Sequence, residues 1–145
     1  MDREALAQAA GKVIWREDRV GKWLGMQLEE LRPGYARLSM AVTEHMANGQ
    51  DYCHGGMIFT LADSSFGFAC NSHNQRALAA ACSIEYLAPA RIGDRLTAEC
   101  REQARAGRAG VYDARVTNQE GELIALFRGK SATVRGHWVE DGRGS

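Results

Sequence analysis

The chain has 145 residues, 45% hydrophobic and 25% charged, and its 18 basic and 18 acidic residues give a formal net charge of zero. That length suits one domain with a real core. The neutral balance argues against nucleic acid or an anionic membrane as the main partner, and no apolar run approaches the ~18 residues that a bilayer span needs.

The N-terminus, MDREALAQAAGK, is charged from its second residue and lacks an apolar signal core, so the expected location is the cytoplasm. Arg outnumbers Lys among the basic residues; biased codon usage explains this more simply than phosphate recognition. The four cysteines, Cys53, Cys70, Cys82 and Cys100, show no CxxC spacing. In a cytoplasmic chain they read as small buried hydrophobes. Cys53-His54 with Cys70 and His73 match no zinc spacing, so no metal is expected.

In chain order, Ala5, Leu6, Ala9, Ala10, Val13 and Ile14 recur at helical spacing, predicting a short amphipathic N-terminal helix over 3–14. Strand patterns follow at 23–31 and 35–42 around the turn Arg32-Pro33-Gly34, and then a polar irregular stretch over 43–53. From Met57 to Cys70 nearly every residue is apolar or small, a helical length that predicts a helix buried on most sides. One carboxylate, Asp63, sits in its middle, which is costly unless it is hydrogen-bonded or has a task. Ahead lies His54-Gly55-Gly56, bare backbone at a helix N-terminus, where free N–H groups and the helix dipole favour negative charge.

Four further strands are predicted, at 77–87, 95–103, 111–117 and 123–134, separated by Pro89/Gly93, Gly107–Gly110 and Asn118–Gly121. Residues 136–145 are polar and glycine-rich and are expected to fray. No repeat or linker divides the chain. The predicted class is α+β: a curved antiparallel sheet of five to six strands wrapped around one long central helix.

Taken singly, each polar residue has an ordinary explanation. Asp63 could be satisfied by backbone or by Ser64 and Ser65, Gly55-Gly56 could be a tight turn, His54 a cap, and Asn48 a turn former with Gly49 behind it. Together, Asn48, His54-Gly55-Gly56 and Asp63 form N-x5-HGG-x6-D, which resembles the hotdog-fold acyl-CoA thioesterases, most closely their PaaI branch. The runs SIEYLAPARIGDRLTAE (83–99) and ALFRGKSATV (125–134) resemble that family's central and last strands.

The resemblance implies roles residue by residue. Gly55 would offer its N–H to the thioester oxygen, His54 would position that loop, and Asp63 would be the nucleophile or the base activating water. Asn48 would orient water or the carboxylate, and Ser64 would add a hydrogen bond. No metal or cofactor is then needed, coenzyme A being part of the substrate. The acyl group, on this reading (hydroxy)phenylacetyl or another aryl-acyl, would lie against Gly56, Phe59, Phe66, Tyr52, Met46 or Trp23. Arg91 and Arg128, with Lys130 and Arg108 behind them, would meet the CoA phosphates.

Geometry adds a constraint. Gly55 and Asp63 lie eight residues apart on one helix, roughly 12 Å along its axis, whereas a reacting carbon needs both within about 3 Å. The site must therefore be shared between two subunits, with 77–87 as the seam and, by the resemblance, dimers pairing again into a homotetramer. Two rival readings are a hotdog enoyl-CoA hydratase, whose D-x4-H arrangement this chain lacks, and a non-catalytic acyl-CoA sensor, which would carry a longer appended segment.

Overall fold

The computed structural model describes residues 1–141. Helix α1 (Arg3–Glu17) is capped by Asp2, whose carboxylate accepts the Ala5 N–H at 2.7 Å. A short helix α2 (Arg19–Trp23) follows. Strands β1 (Gln27–Arg32) and β2 (Tyr35–Ala41) form a hairpin, and helix α3 (Gly55–Asn71) comes next. The chain ends in β3 (Gln75–Tyr86), β4 (Arg95–Ala106), β5 (Ala109–Thr117) and β6 (Leu123–His137). The six strands make one antiparallel sheet in the order β1-β2-β4-β5-β6-β3. The expected class, six strands and one long helix, is thus what the chain adopts.

Two boundaries differ. Trp23 does not open a strand: Asp18 ends α1 in extended backbone, five residues wind into α2, and Gly25 at φ +70° turns the chain into β1. Nor does the chain fray at 136. Asn74 accepts the N–H groups of Trp138 and Val139 on its side-chain oxygen, and Trp138 Nε1 donates to Asn71 at 2.9 Å. The rest of the expected tail, 142–145, lies outside the described residues.

α3 lies across the inner face of the sheet because both surfaces are apolar and the sheet is small where the helix crosses. Ile58, Leu61, Ala62, Phe66, Phe68 and Ala69 of the helix meet Leu38, Met40, Leu96, Ala98, Tyr112, Ala114 and Phe127 in one buried core. Phe66, 1% exposed, packs on Tyr112 and Phe127 with centroids at 5.6 and 5.8 Å. Gly129 on β6 makes this approach possible, since a Cβ there would stand 2.8 Å from the Phe66 ring.

The two sheet edges are treated differently. β1 is packed against by α1, where Gly11 lets Leu31 come close. β3 has no strand beside its outer edge among the described residues, and it exposes Leu78 (64%), Ala79–Ala81 and Cys82. A twelve-residue bare apolar edge is what proteins normally cover.

Gly129→Ala should destabilise the fold by about 1–3 kcal/mol, as overpacking does, and lower Tm in thermal unfolding. An unchanged Tm would show that the helix does not ride that close to β6.

Candidate active site

The segment before α3 is sewn down by backbone hydrogen bonds. His54 N–H donates to Met46 O, Cys53 N–H to Ala90 O, and Asn48 N–H to Tyr52 O, each at 2.7 Å. Asn48 then closes its own loop, its Oδ1 accepting from the backbone of Gln50 and Tyr52 at 2.9 and 3.1 Å. With that oxygen engaged, what Asn48 turns to the groove beside it is its amide NH2, a donor and not an acceptor.

His54 is the N-cap of α3. Its Nδ1 accepts the Gly56 N–H at 3.0 Å, and its carbonyl accepts from Met57 and Ile58. Of the four N–H groups that a helix start leaves without partners, three are thus used. Of these four, only the Gly55 N–H has no acceptor among the described residues. It lines an open groove of about 380 Å³ with Asn48, Tyr52, Cys53, Ile58, Tyr86, Leu87, Ala88 and Pro89. A single free amide at the positive end of a seventeen-residue helix, in a largely apolar groove, is a place for a developing oxyanion.

Asp63 lies two turns further along the same helix, about 12 Å by helical rise, and does not line that groove. The ordinary explanation for it fails. Ser65 spends its hydroxyl on Ala62 O, and Ser64 makes no hydrogen bond among the described residues. The nearest donor to the carboxylate is the Cys82 thiol at 4.0 Å. Burial pushes the Asp63 carboxyl above its ordinary value. It is a half-buried acid whose one hydrogen-bond partner among the described residues is a weak, distant thiol donor.

The Thioesterase superfamily profile matches residues 50–125, from ahead of the helix into β6. The chain belongs to the thioesterase superfamily. It is 42% identical over 123 residues to the acyl-coenzyme A thioesterase PaaI of Escherichia coli K12, covering 85% of this chain and 88% of that protein. The structure of the E. coli PaaI protein superposes with a TM-score of 0.91 at 39% identity, over 92% of this chain and 97% of that one. A Streptococcus pneumoniae thioesterase solved with coenzyme A gives 0.75 at 25% identity, over 77% and 90%.

Within this thioesterase fold the other expected site residues separate into groups. Gly56 lies in the first turn, but its N–H is taken by His54. Tyr52 lines the groove, and Arg91 is bridged to Tyr52 with its guanidinium 5.6 Å from the ring, so it stands at the rim. Phe59 is half-buried and sits edge-on to Phe127 at 5.5 Å. Phe66 and Met46 are buried in the core, and neither lines this groove. Trp23, 78% exposed on α2, does not line it either.

The three remaining cations also lie elsewhere in the chain. Along β6, Phe127, Gly129 and Ser131 face inward, so Arg128 and Lys130 project from the outer face of the sheet. There Arg128 forms a bidentate pair with Asp113 at 2.6 and 2.8 Å. Arg108 sits in the β4–β5 turn beside Thr133, at the end of the sheet away from Gly55. The cysteines divide too. Cys53, Cys70 and Cys100 are buried as expected, with burial pushing the first two thiols up to about 11 and 12, but Cys82 is exposed on the β3 edge. Among the described residues no three His, Cys, Asp or Glu side chains group to hold a metal ion.

Sequence reasoning missed most of the groove wall: Ile58, Tyr86, Leu87, Ala88 and Pro89. The signal was there in part. Tyr86-Leu87-Ala88-Pro89 ends the strand that runs back alongside α3 to the level of its start.

An acid whose pKa is raised by folding costs stability once ionised. The cost is absent below the unfolded value near 3.8 and complete above the raised folded value. Asp63→Asn should therefore raise Tm at pH 7 and leave it unchanged near pH 3. A lower Tm at pH 7 would mean that the carboxylate is held by favourable contacts.

Proposed function

We propose that this chain is an acyl-CoA thioesterase whose active site is completed by a second copy of itself. It hydrolyses acyl-CoA thioesters to the free acid and CoA. One observation carries the reading: a helix that offers one free amide at its start and, two turns later, one half-buried carboxylate held by nothing stronger than a thiol at 4.0 Å. The likeness to E. coli PaaI supports the acyl-CoA substrate.

The Gly55 N–H donates to the thioester oxygen as charge builds on it. Asp63 of the other subunit either takes a proton from water, whose oxygen bonds to the carbonyl carbon, or attacks that carbon itself. The C–S bond then breaks and the thiolate leaves as CoA, taking up the proton that water gave; where Asp63 itself attacked, water then hydrolyses the acyl–Asp63 anhydride to release the free acid and restore the carboxylate. A thioester is activated enough that one carboxylate and one oxyanion donor suffice. The Asn48 amide donates toward the water or the acid, and the Ser64 hydroxyl adds a second hydrogen bond.

Two surfaces support the pairing. The outward stripe of α3, with Gly56, Thr60, Asp63, Ser64 and Gly67, carries no bulky side chain. It adjoins the bare edge of β3, so a second copy joined edge to edge would extend the sheet and bring each Asp63 toward the other copy's Gly55. Dimers then pair into tetramers, as the resemblance implies. The whole chain serves as one such domain and works in the cytoplasm; among the described residues no helix is long and apolar enough to cross a membrane.

The groove walls Tyr52, Tyr86, Ile58, Leu87 and Pro89 favour an apolar, ring-bearing acyl group. Arg91 at the rim meets a CoA phosphate.

Kinetics on phenylacetyl-, hydroxyphenylacetyl-, benzoyl- and fatty acyl-CoA should give the highest kcat/KM for an aryl-acetyl substrate. Asp63→Ala should lower hydrolysis by at least a hundredfold while acyl-CoA binding, measured by calorimetry, survives. Unchanged hydrolysis in that variant would overturn the assignment, and binding without any wild-type turnover would make the protein a sensor.

A further inference from the structure

The peptide between Gly55 and Gly56 is the first of α3, and it joins two glycines, the residue type with the most backbone freedom. A helix start built on two glycines frays unless something holds it. One end is held by His54, whose Nδ1 accepts the Gly56 N–H at 3.0 Å. The other end is held from a distant part of the sequence. Tyr86, the last residue of β3, donates its phenolic O–H to the Gly55 carbonyl at 2.8 Å.

The Tyr86 ring also lies over the glycine itself. A Cβ at Gly55 would stand 3.1 Å from Tyr86 Cζ and 3.2 Å from its hydroxyl oxygen, so the glycine is needed because the phenol covers it. Tyr86 is 49% exposed, yet it turns its hydroxyl inward to backbone. Burial, with the Cys53 thiol nearby, pushes the phenol up, which keeps the O–H as a donor.

We propose that Tyr86 is a positioning residue for the oxyanion amide: with His54 it clamps the Gly55–Gly56 peptide from both ends and fixes the direction of the free Gly55 N–H. An oxyanion donor helps in proportion to how well it is aimed before reaction. Tyr86 therefore acts on turnover through Gly55, without contacting the reacting atoms. The inference rests on the thioesterase reading for its effect on rate, but the clamp itself is a property of the folded chain.

The test is Tyr86→Phe, which keeps the ring and removes only the donor. The expected result is a fall in kcat of about fivefold, what one neutral hydrogen bond is worth, with KM within twofold and Tm lowered by no more than the few degrees that one such bond accounts for. Amide exchange at Gly56, read by NMR, should quicken by a similar factor while the rest of α3 is unaffected. Unchanged kcat and unchanged Gly56 exchange would overturn the proposal. So would a lower Tm with faster exchange along all of β3, the mark of an ordinary packing residue. If the wild type hydrolyses no acyl-CoA, the thioesterase reading fails, and the exchange at Gly56 alone still decides for or against the clamp.

Discussion

The rigidity of one α-helix governs this molecule. A helix rises 1.5 Å per residue, so the amide at Gly55 and the carboxylate at Asp63 are held about 12 Å apart and cannot bend toward one another. Both are made conspicuous by what surrounds them. Every neighbouring donor at the helix start is bonded, and every neighbouring hydroxyl ignores the acid. On the proposed reading these are two halves of a chemical site that one chain's own backbone keeps apart.

The rest of the fold follows from burying that helix on one side only. Small residues on the inner sheet face, Gly129 above all, draw Phe66 and its neighbours into the core. The opposite stripe stays free of bulk, next to a strand whose outer edge is unpaired. A chain selected only as a folded monomer would gain by covering that edge and by replacing Asp63. Its persistence as an uncompensated acid is the usual trade of stability for activity.

Much of this was legible in the residues. Helical length, strand alternation and turn chemistry gave a sheet of five to six strands and one long helix, and the HGG…D spacing singled out Gly55 and Asp63, the two groups on which the proposed site rests. What failed did so for physical reasons. Phe66 and Met46 are apolar residues near the site in sequence, and only packing tells a pocket wall from a core residue. The outer-face placement of Arg128 and Lys130 was legible in the sequence alone, since they alternate with Phe127 and Gly129 and so belong to the other face of the strand. Tyr86 could not have been found that way, because its partner lies 31 residues away and is a carbonyl, which carries no side-chain signature. Trp138 and Asn71 escaped for the same reason: the polar tail is held by hydrogen bonds that composition does not show.

The central claim, that neither subunit holds a whole site, is tested most directly by complementation. One subunit carries Asp63→Ala, and the other carries Gly55→Pro, which removes the amide donor at a helix position that suits proline's backbone, with the half-exposed Tyr86 ring giving way by a few tenths of an ångström to its Cβ. His54, at ψ 134°, already has the backbone that a residue ahead of proline adopts. Each variant alone should be inactive. Purified heterodimers should regain up to half of the wild-type activity per dimer, because one of their two sites combines an intact amide with an intact acid. Heterodimers as inactive as their parents, or a wild-type monomer with full activity, would contradict the account.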